Sequence, residues 1–205
     1  MRIIDKLSCA LSLPAAYRLF SRLVGARKSW RIYMADYVKP AVGEKVLDIG
    51  CGPAEILNYL PKVDYTGLDI SPEYILSAQK RFEGKGRFFC TDVGMATIER
   101  EQATFNLVLA TGVVHHLDDD RAKKLFTLAR LALRPGGRLI TYDGCYVPEQ
   151  SGIARWLLSK DRGKFVRRPE DYIGLASKCF SKVEPNVRHD LLHMPYTHLI
   201  LRCSN

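Results

Sequence analysis

Val46-Leu47-Asp48-Ile49-Gly50-Cys51-Gly52-Pro53-Ala54-Glu55-Ile56-Leu57 decides how the rest of this chain is read. Val46–Ile49 is a short apolar run holding one acid, the pattern of a strand buried in a parallel sheet. Gly50 to Pro53 turn the chain, and residues 54–60 are expected to form a helix. Glycines at such a turn admit a ligand where a Cβ would collide. A helix N-terminus offers N–H groups to a carboxylate or phosphate. The stretch therefore predicts a nucleotide-type site at the end of a parallel strand.

The residues around the turn narrow the type of nucleotide. A dinucleotide fingerprint reads G-x-G-x-x-G; Gly50 and Gly52 fit it, but Glu55 stands where the third glycine belongs. A Walker loop is excluded because no Gly-Lys-Ser/Thr follows. Asp48 is placed to accept hydrogen bonds from a ligand ammonium group. Asp69, closing the segment Tyr65–Asp69, is placed for ribose hydroxyls. Asp48-x-Gly50-x-Gly52 with Asp69 resembles the class I S-adenosylmethionine-dependent methyltransferases. Phe88–Val93 is similar to that family's third strand, Phe105–Thr111 to its fourth, and Leu133-Arg134-Pro135-Gly136-Gly137 to its turn into the fifth. The resemblance spans Ala41 to Cys203, with Ala54 where the family commonly has glycine and Asn106 where it usually has Asp.

The resemblance implies S-adenosylmethionine as cofactor and S-adenosylhomocysteine as product. It places Asp48, Gly50, Cys51, Gly52, Asp69, Ile70, Asp92, Val93, Ala110 and Thr111 around them, with Asp92 meeting the adenine amino group. It implies an α/β, Rossmann-like three-layer sandwich whose seven-stranded, mostly parallel sheet has the order 3-2-1-4-5-7-6, strand seven being antiparallel.

The residue pattern agrees with that architecture. Apolar runs alternate with helical ones, as in a parallel sheet covered on both faces. Strands are expected near 45–49, 65–69, 87–91, 105–111, 137–143, 183–189 and 196–202, and helices near 17–38, 54–60, 72–83, 120–133, 152–160 and 169–180. Asp190–Pro195 is too short for a crossover helix, so the last two strands should pair antiparallel at an edge. Ser71-Pro72-Glu73 reads as a helix start, and Asp118-Asp119-Asp120 as another, with acids at the positive end of the dipole.

The 205 residues suit one domain, with residues 1–40 as a helical lid and 144–182 as a substrate-side insertion and helix. No apolar run approaches the length of a membrane span. The start is mildly apolar but broken by Asp5, Ser8, Ser12 and Pro14, unlike a secretory leader, and a cytoplasmic location is expected. Six scattered cysteines without a C-x-x-C pair read as reduced thiols, and no metal site is expected.

The net charge of +9 is uneven. Residues 1–40 carry 8 Lys/Arg against 2 Asp/Glu, residues 41–150 carry 13 against 15, and residues 151–205 carry 10 against 5. A slightly acidic centre lies between basic flanks, which suit an anionic substrate, an anionic membrane surface or nucleic acid, or serve only solubility. The first helix has a stripe at Leu19, Leu23, Ala26, Trp30, Tyr33, Met34 and Tyr37 beside Arg18, Arg22, Arg27, Lys28 and Arg31. It reads as a lid over the cleft, with peripheral membrane contact as the alternative.

Ligands in open α/β sheets bind beyond the carboxyl ends of the strands, which puts His115 and His116 near the transferred methyl. Either suits a general base; the resemblance implies a cleft-wall position for His116 and, for His115, a more variable position open to the substrate. Tyr142, Asp143 and Tyr146 follow strand five. Arg155, Lys160, Arg162, Lys164, Arg167 and Arg168, interleaved with Trp156 and Phe165, suit an anionic group beside an apolar or ring portion. Tyr146, Arg155 and Trp156 are the candidate substrate contacts. The expected reaction is methyl transfer by in-line displacement to a small or lipid-linked, possibly anionic, metabolite. The alternatives are an RNA methyltransferase, against which stands the lack of an Asn-Pro-Pro-Tyr motif after strand four, and a non-catalytic cofactor-binding partner subunit.

Overall fold

The computed structural model describes residues 25–92, 102–161 and 163–205. Seven strands form one sheet: β1 (Lys45–Ile49), β2 (Asp64–Asp69), β3 (Arg87–Cys90), β4 (Phe105–Thr111), β5 (Leu133–Gly144), β6 (Lys182–Arg188) and β7 (His198–Ser204). Their order is β3-β2-β1-β4-β5-β7-β6. β1 to β5 run parallel, and β7 lies antiparallel to both β5 and β6. The helices are α1 (Ala26–Ile32), α2 (Pro72–Arg81), α3 (Asp119–Ala132), α4 (Gly152–Ser159) and α5 (Pro169–Ala176).

Side-chain alternation along the central strands builds three layers. On β4, Val108 and Ala110 face a core shared with Leu125, Phe126 and Ala129 of α3 and with Tyr172 and Leu175 of α5. Leu107 and Leu109 face the opposite core, with Tyr33, Met34 and Val38 on one side and Ile75 and Ala78 of α2 on the other. β6 is an edge strand; Pro185 and mostly exposed side chains discourage further pairing there.

Most element boundaries fall close to expectation, and the differences have local causes. The helix expected over 54–60 is a single 3₁₀ turn, Glu55–Asn58, because Ala54 is left-handed at φ 54° and breaks the helical path. The long first helix is described only from Ala26. It widens into a π-turn over Tyr33–Val38, and Arg138 donates to the freed Val38 carbonyl at 2.8 Å and to that of Lys39 at 3.1 Å. Arg138 also pairs with Glu44 at 2.9 Å, so one β5 side chain fixes the helix end. Leu19, Leu23, Arg18 and Arg22 lie outside the described residues.

β5 begins at Leu133 rather than near 137. Leu133 pairs with Phe105 and Arg138 with Leu107, so residues 134–137 bulge out of the ladder. β7 begins two residues later than expected: the Tyr196 hydroxyl donates to Asp161, while the Thr197 carbonyl still accepts from the Cys145 N–H beyond the last β5–β7 pair. The helix starts read from sequence are present. The Ser71 hydroxyl accepts from the Tyr74 N–H, and the Asp118 carboxylate from the Arg121 N–H at 2.8 Å. Asn106 accepts the Lys45 N–H at 3.0 Å, so the amide serves as the acceptor at this position.

Candidate active site

The carboxyl ends of β1, β2 and β4 open into a cavity of about 470 Å³, within the range of small-molecule sites. Asp48, Gly50, Cys51, Gly52, Asp69, Ile70, Asp92 and Thr111 all line it, as do Trp30, His116 and Arg121. Ala110 does not: it is wholly buried in β4. Val93 lies outside the described residues.

Gly50 explains the shape of the turn. Its φ is +71°, and a Cβ there would lie 2.4 Å from the Val113 side chain. The Gly50 and Cys51 N–H groups are bound to the Leu68 carbonyl, and that of Gly52 to Asp69 Oδ2 at 2.8 Å. Two N–H groups of the turn thus tie it to the end of β2, and the third fixes Asp69.

Asp48 is buried at the end of β1. Tyr65 donates to its Oδ2 at 2.6 Å, while Oδ1 is buried with no partner. Burial pushes the Asp48 carboxyl up to about 7; the Tyr65 bond opposes the shift and the charge of Asp69 adds to it. An unpaired carboxylate oxygen in a cavity wall calls for a cationic or donor partner from the ligand. Asp69 is held differently: Gly52 N–H binds one oxygen and Ser71 N–H the other, both at 2.8 Å. Each oxygen keeps acceptor capacity for a vicinal diol. Burial raises the Asp69 pKa against those backbone bonds. The exposed side chain of Ile70 provides an apolar wall beside it. Asp92, at the third corner, is paired with Arg121. The ammonium, ribose and base of S-adenosylmethionine thus each have a residue of matching chemistry.

Trp30, read from sequence as part of the stripe on a helix over the cleft, lines the cavity. Its ring stacks on Tyr59 at 5.9 Å, and its helix is tied down by Ser29 to the Tyr142 hydroxyl at 2.9 Å and Tyr33 to Thr111 at 3.3 Å. Arg121 was missed; its place in the first turn of α3, after the acidic cap, was the only sequence signal available.

The two histidines part company: His116 takes the expected place in the cleft wall, and His115 does not face the cavity. His116 is exposed and lines the cavity. His115 is buried: its Nδ1 lies 2.8 Å from Asp143 Oδ1, and its Nε2 3.5 Å from Asp161 Oδ1. Burial alone would depress its pKa, but the bonds to Asp143 and Asp161 overcome this and raise it to about 9. A buried imidazolium between two carboxylates holds no vacant nitrogen for a substrate proton, so His115 in this state is not a general base. The substrate candidates Tyr146, Arg155 and Trp156 do not line the cavity either. Arg155 lies over the Tyr146 ring at 5.4 Å, and Trp156 is 57% exposed on the outer face of α4. Arg167 is likewise taken: it donates to the Leu117 and Val114 carbonyls and pairs with Asp119. Arg162 lies outside the described residues.

The sheet order, the acid-bearing turn and the cavity are those of a Rossmann-like methyltransferase fold. Residues 46–137 match the family model described as a methyltransferase domain. The chain is 32% identical over 108 residues to the malonyl-[acyl-carrier protein] O-methyltransferase of Paenibacillus sp. (strain JDR-2), covering 49% of this chain and 38% of that protein. It is 28% identical over 141 residues to the enzyme of the same name from Hahella chejuensis, covering 67% and 50%. The chain thus spans half or less of the length of these two relatives. Among solved structures, the S-adenosylmethionine-dependent methyltransferase SibL superposes with a TM-score of 0.72 at 21% identity, covering 97% of this chain and 61% of that one. A TehB-like methyltransferase from Corynebacterium glutamicum gives 0.65 at 20% identity, covering 92% and 96%. These structures share the fold.

Proposed function

We propose that this chain transfers the methyl group of S-adenosylmethionine to a small, anionic metabolite that reaches the cavity past His116. The cofactor supplies a methyl group already activated on a sulfonium. What the chain must supply is alignment and exclusion of water. Asp48 holds the ammonium end and Asp69 the ribose, while Trp30 on α1 covers the cavity as part of a lid.

The observation that carries the substrate class is the loop after α4. Lys160 and Lys164 are exposed and bracket Asp161 and Gly163, which pack on His115 next to His116 in the cavity wall. An incoming carboxylate or phosphate meets that basic edge before it meets the cavity. The relatives named for malonyl-[acyl-carrier protein] O-methylation agree with an acceptor that carries a carboxylate. The test is transfer of labelled methyl from S-adenosylmethionine to a panel of carboxylates, phosphomonoesters, acyl thioesters, quinols and tRNA. Label in a small anionic acceptor, weakened by salt and by K160E/K164E, supports the reading. Label confined to tRNA, or cofactor binding without transfer to any acceptor, contradicts it.

A further inference from the structure

Three side chains outside the cofactor acids converge beside the cavity, where His116 forms part of its wall. His115, His116 and Asp161 each present one ligand atom, and these atoms lie within 4.8 Å of one another. We propose that they form a binding site for a divalent transition-metal ion, with its open positions facing the cavity.

The spacing of the inner pair fits such an ion. His115 Nε2 and Asp161 Oδ1 are 3.5 Å apart, long for a hydrogen bond. Two ligands each bound at about 2.1 Å in a tetrahedral site stand about 3.4 Å apart. His116 completes the set from the same 3₁₀ turn, Val114–His116; the two rings lie 4.2 Å apart between centroids. His116 is exposed, and its ligand atom stands within 4.8 Å of those of His115 and Asp161.

The surroundings of the ligands are arranged as a metal requires. His115 Nδ1 meets the buried Asp143 carboxylate at 2.8 Å, the orientation in which a metal-bound histidine donates its other N–H to an acid. Asp161 is fixed at both oxygens, by the Gly163 N–H at 2.8 Å and the Tyr196 hydroxyl at 2.7 Å. The loop carrying it is held by the Phe165 N–H on the His115 carbonyl at 2.9 Å. A Cβ at Gly163 would lie 2.1 Å from the His115 ring, so this close approach requires glycine. Charge favours the same conclusion. Two carboxylates, Asp143 and Asp161, flank one imidazole here, and a dication bound at Nε2 offsets the charge of both.

Two imidazoles and one carboxylate favour zinc, cobalt or iron(II) over magnesium or calcium. Because His116 lines the cavity, the open coordination positions take an oxygen of the methyl acceptor, a hydroxyl or carboxylate, and polarise it as a Lewis acid. That use rests on the methyl-transfer reading; the metal site itself does not. Sequence reading had no means of bringing residue 161 beside residues 115 and 116.

The test is titration of the chelator-treated full chain with CoCl₂, followed by visible absorption, and with ZnCl₂, followed by calorimetry. One equivalent is expected at micromolar affinity or tighter, with d–d bands but no thiolate-to-cobalt band, which separates the site from the free cysteines. H116A and D161N are each expected to weaken binding at least tenfold, with circular dichroism confirming the fold. D161N should leave S-adenosylhomocysteine affinity unchanged, which distinguishes loss of the metal from loss of the cofactor. Absence of stoichiometric binding, a thiolate band, or unchanged affinity in both variants would overturn the site.

Discussion

The Tyr65 hydroxyl donates to Asp48 Oδ2 at 2.6 Å in the buried interior, leaving Oδ1 as an unpaired acceptor in the cavity wall. One tyrosine on β2 thus both tolerates an acid in the core and aims its second oxygen. Y65F removes the donor without adding volume. It is expected to cost about 2 kcal/mol of stability, the range for a buried hydrogen bond to a charged group. It should also weaken S-adenosylhomocysteine binding several-fold. Thermal melts and calorimetry read the two effects separately.

Cofactor affinity should depend on pH through the same carboxyl. With its pKa held near 7 by burial, Asp48 is mostly protonated at pH 6 and ionised at pH 8. Affinity for the cofactor ammonium therefore rises between those values and levels off above them. The stability term has the opposite sign. A carboxyl raised above its unfolded value binds its proton more tightly in the folded state, so its contribution is complete below about pH 4 and lost as pH rises through 7. D48N should flatten both dependences, as seen by titrating ligand and denaturant across that window.

G50A tests the turn. A left-handed alanine costs about 1–2 kcal/mol, and the collision with Val113 adds about 1–3. A drop in melting temperature of about 5 °C or more is expected, together with loss of cofactor binding. A melting temperature equal to wild type would show that the turn is not built as described.

The chain has two tryptophans, and only Trp30 lines the cavity. In W156F, S-adenosylhomocysteine should change the remaining fluorescence in a saturable way. In W30F, the exposed Trp156 should give no response. A response from Trp156 alone would place the ligand on the α4 side.

R138A tests how the helical cover is anchored. Loss of the bonds to the Val38 and Lys39 carbonyls and to Glu44 should cost about 2 kcal/mol. It should also loosen α1, read as faster hydrogen exchange over residues 26–38.

The sheet was legible because its signals are local. Val46–Ile49, Phe105–Thr111 and the Leu133–Gly137 turn each carry their own pattern, and Asp48 and Asp69 end strands that the pattern located. What was not legible depends on long-range contact. The burial of His115 is set by Asp143 on β5 and Asp161 after α4, which spacing along the chain does not reveal. The lid reading put Trp30 over the cleft, but the bonds that anchor its helix, from Ser29 and Tyr33, reach partners more than seventy residues away. Arg155 and Trp156 were read as substrate contacts from composition, yet α4 turns that face outward. Their charge and aromatic content were plain, but their direction was not.

The most direct measurement is calorimetric titration of the full chain with S-adenosylhomocysteine, alongside NADH and the D69A variant. One equivalent of S-adenosylhomocysteine should bind with micromolar affinity. NADH should give no heat, and D69A should lose about tenfold or more, as expected when charged hydrogen bonds to a diol are removed. Binding of NADH in preference to S-adenosylhomocysteine, or wild-type affinity in D69A, would contradict the assignment of this cavity.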